Sequence, residues 1–139
     1  MTVTLELVQR FDAPAQAVWD LMTDTSAWPR WAGVRSVQVD RPGDEARGGA
    51  GQLRTIKTWS GTVQEEVTAV EPGLWFSYSL LSGAPVHDYR GTVSLEPDAG
   101  GTKVTWNVEF LPRRFWGPAL RVAVSRMMRR AMRGLAAEL

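Results

Sequence analysis

Beyond residue 52 the chain is written in two periods. From Leu53 to Pro112, apolar and polar residues alternate in runs broken at Ser60-Gly61, at EPG (71–73), at SGAP (82–85) and at the Pro97–Gly101 turn. Alternation with period two marks strands with one buried face, and tight turns between such runs join antiparallel neighbours. After Pro112 the period becomes helical. Trp116, Leu120, Val124, Met127, Met128, Ala131 and Leu135 recur at the spacing of one face of an amphipathic helix of about 20–25 residues, starting between Arg114 and Pro118. A meander of this length must curl and bury one face. The only partner large enough is that last helix, and a curled sheet is wider than a helix of about 10–12 Å. Side chains must bridge the difference, or a cavity remains.

The upstream third supplies the rest of the order. Val3, Leu5, Leu7 and Phe11 share one face of a strand. Pro14 suits the first turn of a helix, and Ala15, Val18, Trp19 and Met22 fall on one helical face. Asp24, Thr25 and Ser26 offer caps for a second short helix, which Pro29 is expected to end by restricting Trp28. Residues 34–39 read as a short strand and 40–51 as a polar, glycine-rich loop near the cavity mouth. That loop lacks the Gly-Lys-Ser/Thr ending of a phosphate loop, and no helix follows it. Strand, two helices, a run of strands and one long helix make an α+β chain, and 139 residues suit a single domain.

Composition narrows the function classes. There is no cysteine, so a disulfide framework and a thiolate metal site are both excluded; the usage fits a reducing compartment. His87 is the only histidine, which excludes a His-pair metal motif, and no metal or other cofactor is expected. No segment has the length of a membrane span, and MTVTLELVQR lacks the apolar run of a signal peptide, so a cytoplasmic protein without stable membrane insertion is expected. Seven tryptophans outnumber four phenylalanines and two tyrosines, so wide amphipathic rings must fill much of the interior. Two of them, Trp28 and Trp31, are expected to seal the junction between the short helices and the open end of the sheet.

Strand parity predicts what faces the interior. Val104, Trp106, Val108 and Phe110 form the inner set of the last strand. Val93 and Leu95 set the parity of the preceding strand and carry Gly91, Tyr89 and His87 inward with them. Phe76, Tyr78 and Leu80 form the apolar set on theirs, and on 62–70 the inward set reads Val63, Glu65, Val67 and Ala69. Glu65, Tyr78, His87 and Tyr89 do not suit a dry core, where each polar group needs a partner. They do suit a pocket that orients a mostly apolar ligand.

The stretches FDAPAQAVWDLMTDTSAWPRW, VEPGLWFSYSL, PVHDYRGTVSLEP and GGTKVTWNVEF together resemble START-like proteins. More narrowly, they resemble the polyketide cyclase/dehydrase and lipid-transport group of the SRPBCC superfamily. The resemblance runs through nearly the whole chain. It implies a START/Bet v 1-like helix-grip fold, with a seven-stranded antiparallel sheet wrapped around the long last helix. It also implies a cavity for a hydrophobic small molecule. It does not hand over a reaction, because few members share one catalytic set.

Each candidate residue has two readings. His87, Tyr89 and Glu65 are the candidate acid/base groups for a cyclisation or dehydration. Alternatively, His87 is hydrogen-bonded to a neighbour, or exposed if its strand is bulged, and Glu65 pairs with Arg54 or Lys57 across the adjacent strand. Tyr78, Tyr89 and Trp106 line a ligand or pack the core, and Val124 and Met128 face them from the helix. Residues 113–139 carry seven arginines and one glutamate. This raises an anionic membrane surface or a nucleic acid as partner. No stacking platform of RNA-module type is present, and the helix's apolar stripe is claimed by the sheet, so a solvated basic face leads and no nucleic-acid partner is expected. Three functions follow: a binder of a hydrophobic or aromatic molecule, a cyclase/dehydratase, or a protein of an anionic surface.

Overall fold

The structure, a computed structural model, describes residues 1–139. The alternating runs become strands β1 (Val3–Phe11), β2 (Ser36–Arg41), β3 (Leu53–Lys57), β4 (Thr62–Glu71), β5 (Trp75–Ser82), β6 (Val86–Asp98) and β7 (Gly101–Pro112). Helices α1 (Ala15–Thr23) and α2 (Trp28–Trp31) follow β1, and α3 (Gly117–Glu138) closes the chain. All seven strands form one antiparallel sheet in the order β1-β7-β6-β5-β4-β3-β2. The meander β2 to β7 is sequential, and β1 is added beside the last strand. Bulges in β2, β4 and β6 each insert a residue without a partner, which increases local twist and bends the sheet.

Helix α3 packs on β1, β7 and α2. Its Val124, Met128, Met132 and Leu135 join one core with Phe11, Val104, Val108 and Phe110 of the sheet and with Val18, Trp19 and Met22 of α1. A Cβ on Gly134 would overlap the backbone carbonyl of Trp31, so glycine is what lets the two helix backbones approach. No helix is long and apolar enough to cross a membrane.

The structure differs from expectation at four places, each for a local reason. Pro29 sits in the first turn of α2 and starts that helix rather than ending it, because the missing N–H has no partner to lose there. Asp24 caps the short turn before it, accepting from the Ser26 backbone N–H at 3.1 Å. In β4 a bulge at Thr68 shifts parity by one, so Val70 rather than Ala69 packs on the core. In β6 the pairing slips between His87 and Arg90, and Asp88 adopts φ 52°. His87 therefore lies opposite Leu111 on the exposed face, and Val86 takes the inward place. Finally, Trp116 and Met127 of the supposed buried stripe are 51% and 40% exposed. Trp116 precedes the helix, and Met127 falls to one side of the face that Val124, Met128 and Leu135 turn to the core.

Candidate functional site

Five strands contribute to a belt of polar groups on the concave wall. The tight turn between β3 and β4 sets a register in which Arg54 lies directly opposite Glu65. Both point inward and are buried, at 4% and 7% exposure. Arg54 donates from Nε and Nη2 to the same Glu65 oxygen, Oε1, at 2.6 and 2.5 Å. Its Nη1 donates to Gln52 at 3.3 Å. The guanidinium lies 4.5 Å from the ring centroid of Trp28, a cation–π contact. Trp28 in turn donates from Nε1 to the Met22 carbonyl at 3.0 Å and meets Trp31 edge-on at 6.2 Å. The paired tryptophans thus fasten the two short helices to the buried ion pair. Trp31 Nε1 is the one buried side-chain polar atom without a partner.

Further along the wall, Tyr78 of β5 lies across Gly91 of β6, where a Cβ would overlap the phenol ring. Its hydroxyl accepts from Trp106 Nε1 of β7 at 2.9 Å. Tyr89 of β6 stacks on Phe110 with centroids 5.4 Å apart. Burial pushes the Tyr78 phenol well above its ordinary value, and the neighbouring Tyr89 and Glu65 push the same way. Tyr89 is raised by burial and then by the Glu65 carboxylate. Both phenols are therefore neutral donors at physiological pH, beside a carboxylate that is neutralised by Arg54. Around them the wall is apolar, with Ile56, Val67, Phe76 and Val93 buried.

The pairing of β5 with β6 stops at Ser79 and Arg90, although both strands continue. A pocket of about 410 Å³ opens at this split, lined by Ser79, Leu80, Asp88, Tyr89 and Arg90. The bulge at Asp88 that turned His87 outward is part of the same divergence. A second concavity, of about 500 Å³, is lined largely by the opposite, polar set of residues, including Thr68, Ser77, Thr92 and Asn107.

Of the residues singled out from the sequence, Glu65, Tyr78 and Tyr89 meet on the wall with Trp106, which is half-buried. Val124 and Met128 are buried in the core from the α3 side. His87 is not brought to this site: it is exposed on the other face of the sheet. Arg54 and Trp28 complete the site beyond those residues. Arg54 shares the parity of the buried Ile56, a signal that it too faces inward. Trp28 left no comparable signal, because its contact with Arg54 spans separate elements.

A coiled antiparallel sheet gripping a C-terminal helix, with a mostly apolar wall and a few buried polar groups, defines a helix-grip protein of START type. The chain belongs to the family described as polyketide cyclase / dehydrase and lipid transport, whose pattern matches residues 2–139. No curated protein matches the sequence significantly. Among solved structures, a START superfamily protein from Mycobacterium smegmatis superposes with a TM-score of 0.83 at 12% identity, over 97% of this chain and 95% of that one. Ara h 8.0201 gives 0.80 at 16% identity, over 99% and 97%. An uncharacterized protein from Bacillus thuringiensis gives 0.81 at 16%, over 98% of both chains. At these identities the likeness is one of fold.

Proposed function

We propose that the protein holds a small, largely apolar molecule between the concave wall and α3, with the polar end of that molecule on Tyr89 and Glu65. The observation that carries this reading is the position of Tyr89: a buried phenol that keeps its proton, beside a carboxylate and next to the split between β5 and β6. A neutral phenol donates one hydrogen bond to a ligand oxygen. The second Glu65 oxygen, which Arg54 does not engage, accepts one. The apolar surround supplies affinity without direction, and the polar groups supply orientation. Family membership supports a hydrophobic ligand. Access is through the β5–β6 split, where the strands already part.

Binding is preferred to cyclisation or dehydration on chemical grounds. A general acid or base works best with a proton affinity near the operating pH. Both phenols lie far above it, Glu65 is committed to Arg54, and His87 is on the far side of the sheet. Native mass spectrometry of freshly purified protein tests the reading. A lipophile that survives purification, and is released more readily from a Tyr89→Phe variant, is the expected result. No retained molecule, together with no saturable uptake of an apolar naphthalene fluorophore, would overturn it.

A further inference from the structure

The turn that leads into α3 is exposed in a way the fold does not require. Phe115 is 89% exposed and Trp116 51% exposed. Phe115 holds φ 70°, the left-handed region that bulky side chains rarely adopt, so its ring is presented outward at a backbone cost. Val122, in the second turn of the helix, and Met127, at its middle, are 52% and 40% exposed. The backbone N–H of Arg113 donates to the Pro85 carbonyl at 2.9 Å. This turn therefore lies beside the β5–β6 loop, at the end of the sheet where those strands part.

The positive charge of this turn and of the helix that follows it has no ion-pair partner. Arg113, Arg114, Arg121, Arg126, Arg129, Arg130 and Arg133 are all exposed, and none is in an ion pair. The only acid on α3, Glu138, pairs with Arg30 of α2. At about 100° per residue, Arg126, Arg129, Arg130 and Arg133 fall opposite the buried Val124, Met128 and Leu135. They form a ridge along the solvent side. The rest of the chain carries the compensating negative charge, so the asymmetry belongs to the surface as well as to the sequence.

From these observations we infer that the turn before α3 and the solvent face of that helix dock together on an anionic lipid bilayer: Phe115 and Trp116 enter the headgroup boundary, and the unpaired arginines along the helix lie over anionic lipid phosphates. Aromatic rings favour the membrane–water boundary, and clustered basic residues are attracted to an anionic leaflet. One weak apolar anchor and one basic patch together hold a protein where neither suffices alone. A nucleic acid fits less well. Single-strand binding combines a basic groove with successive stacking rings, and this surface offers a convex helix ridge with two rings at one turn. The apolar stripe of α3 is occupied by the core, so docking is peripheral and leaves the fold intact.

This inference does not depend on the grip holding a ligand. Co-sedimentation of the full chain with vesicles of phosphatidylcholine alone, and with vesicles containing about one-third phosphatidylglycerol, tests it. Binding to the anionic vesicles only, falling at least tenfold in half-molar salt, is expected. A Phe115→Ser/Trp116→Ser variant should lose about tenfold at low salt. An Arg126→Ser/Arg129→Ser/Arg130→Ser/Arg133→Ser variant should lose the salt dependence along with most binding. All these positions are exposed, so unchanged circular dichroism and melting temperature will confirm that the variants fold. Equal binding to neutral vesicles overturns the inference, as does binding that both variants retain. No vesicle binding combined with salt-sensitive RNA binding, or with self-association by sedimentation velocity, also overturns it.

Discussion

Two ion pairs of the same chemistry sit on opposite faces of this sheet. Arg54 and Glu65 are cross-strand neighbours of β3 and β4, and Arg90 and Glu109 are cross-strand neighbours of β6 and β7. Each pair closes at 2.5 Å. The side chains of the first pair are 5% and 9% exposed, and those of the second 64% and 46%. On the convex face water competes for both charges and the pair contributes about 0–1 kcal/mol. On the concave face each charge has lost most of its water, so each depends on the other and on Gln52 and Trp28. The buried pair is therefore a weak source of stability but a strong constraint: it fixes the inward geometry of β3 and β4 and leaves a carboxylate oxygen in the interior.

Removing one partner separates the two cases most sharply. Glu65→Ala strands the Arg54 charge and should destabilise the fold by about 3–5 kcal/mol in urea or thermal denaturation. The double replacement Arg54→Met/Glu65→Leu removes both charges and should cost far less. If Glu65→Ala costs no more than a surface change, the pair is not buried in solution.

The second expectation concerns the two phenols beside the pair, the only tyrosines of the chain. In the unfolded chain they ionise near their ordinary value of about 10, and in the folded protein they hold their protons beyond it. Their contribution is fully present below pH ~10. It falls as pH rises above that, by up to about 1.4 kcal/mol per pH unit for each tyrosine. Tyrosinate absorbance should thus stay flat through pH ~10 and rise in one step with unfolding. A smooth titration centred on the ordinary value would place a phenol in water.

Gly91→Ala comes next. Its methyl group would overlap the Tyr78 ring, so the ring must move off Trp106, with an expected loss of about 1–3 kcal/mol. Trp106→Phe should cost about the same, because it removes both the donor to Tyr78 and part of a ring packed against the core. The smallest effect is the convex pair: Arg90→Ala should change stability by less than about 1 kcal/mol, and less still in high salt.

The inward set was readable where alternation is unbroken. Tyr78 on β5, Tyr89, Val93 and Leu95 on β6, and Glu65 and Val67 on β4 all follow strict parity. Parity failed one step beyond each bulge. At Thr68 and Asp88 one extra residue reverses the faces, moving Ala69 and His87 outward. Neither residue is a glycine, and nothing local marks the insertion. What forces it is the bending of the sheet around α3, a property of all the strands together. The contact of Trp28 with Arg54 escaped for a related reason, since it joins elements whose relative placement no local pattern encodes.

The sequence by itself determined the elements, their order, the antiparallel meander, the amphipathic last helix and most of the residues that face it, because these follow from periodicity and turn chemistry acting over a few residues. The tertiary structure alone decided which apolar residues the sheet has room to cover. Val124, Met128 and Leu135 are covered, whereas Phe115, Trp116 and Met127 are left in water although their side chains are no less apolar. It also decided that Glu65 meets Arg54 in the dry interior while His87 meets solvent. Burial depends on where a curved sheet ends and where its strands part, and those are set by packing over the whole chain.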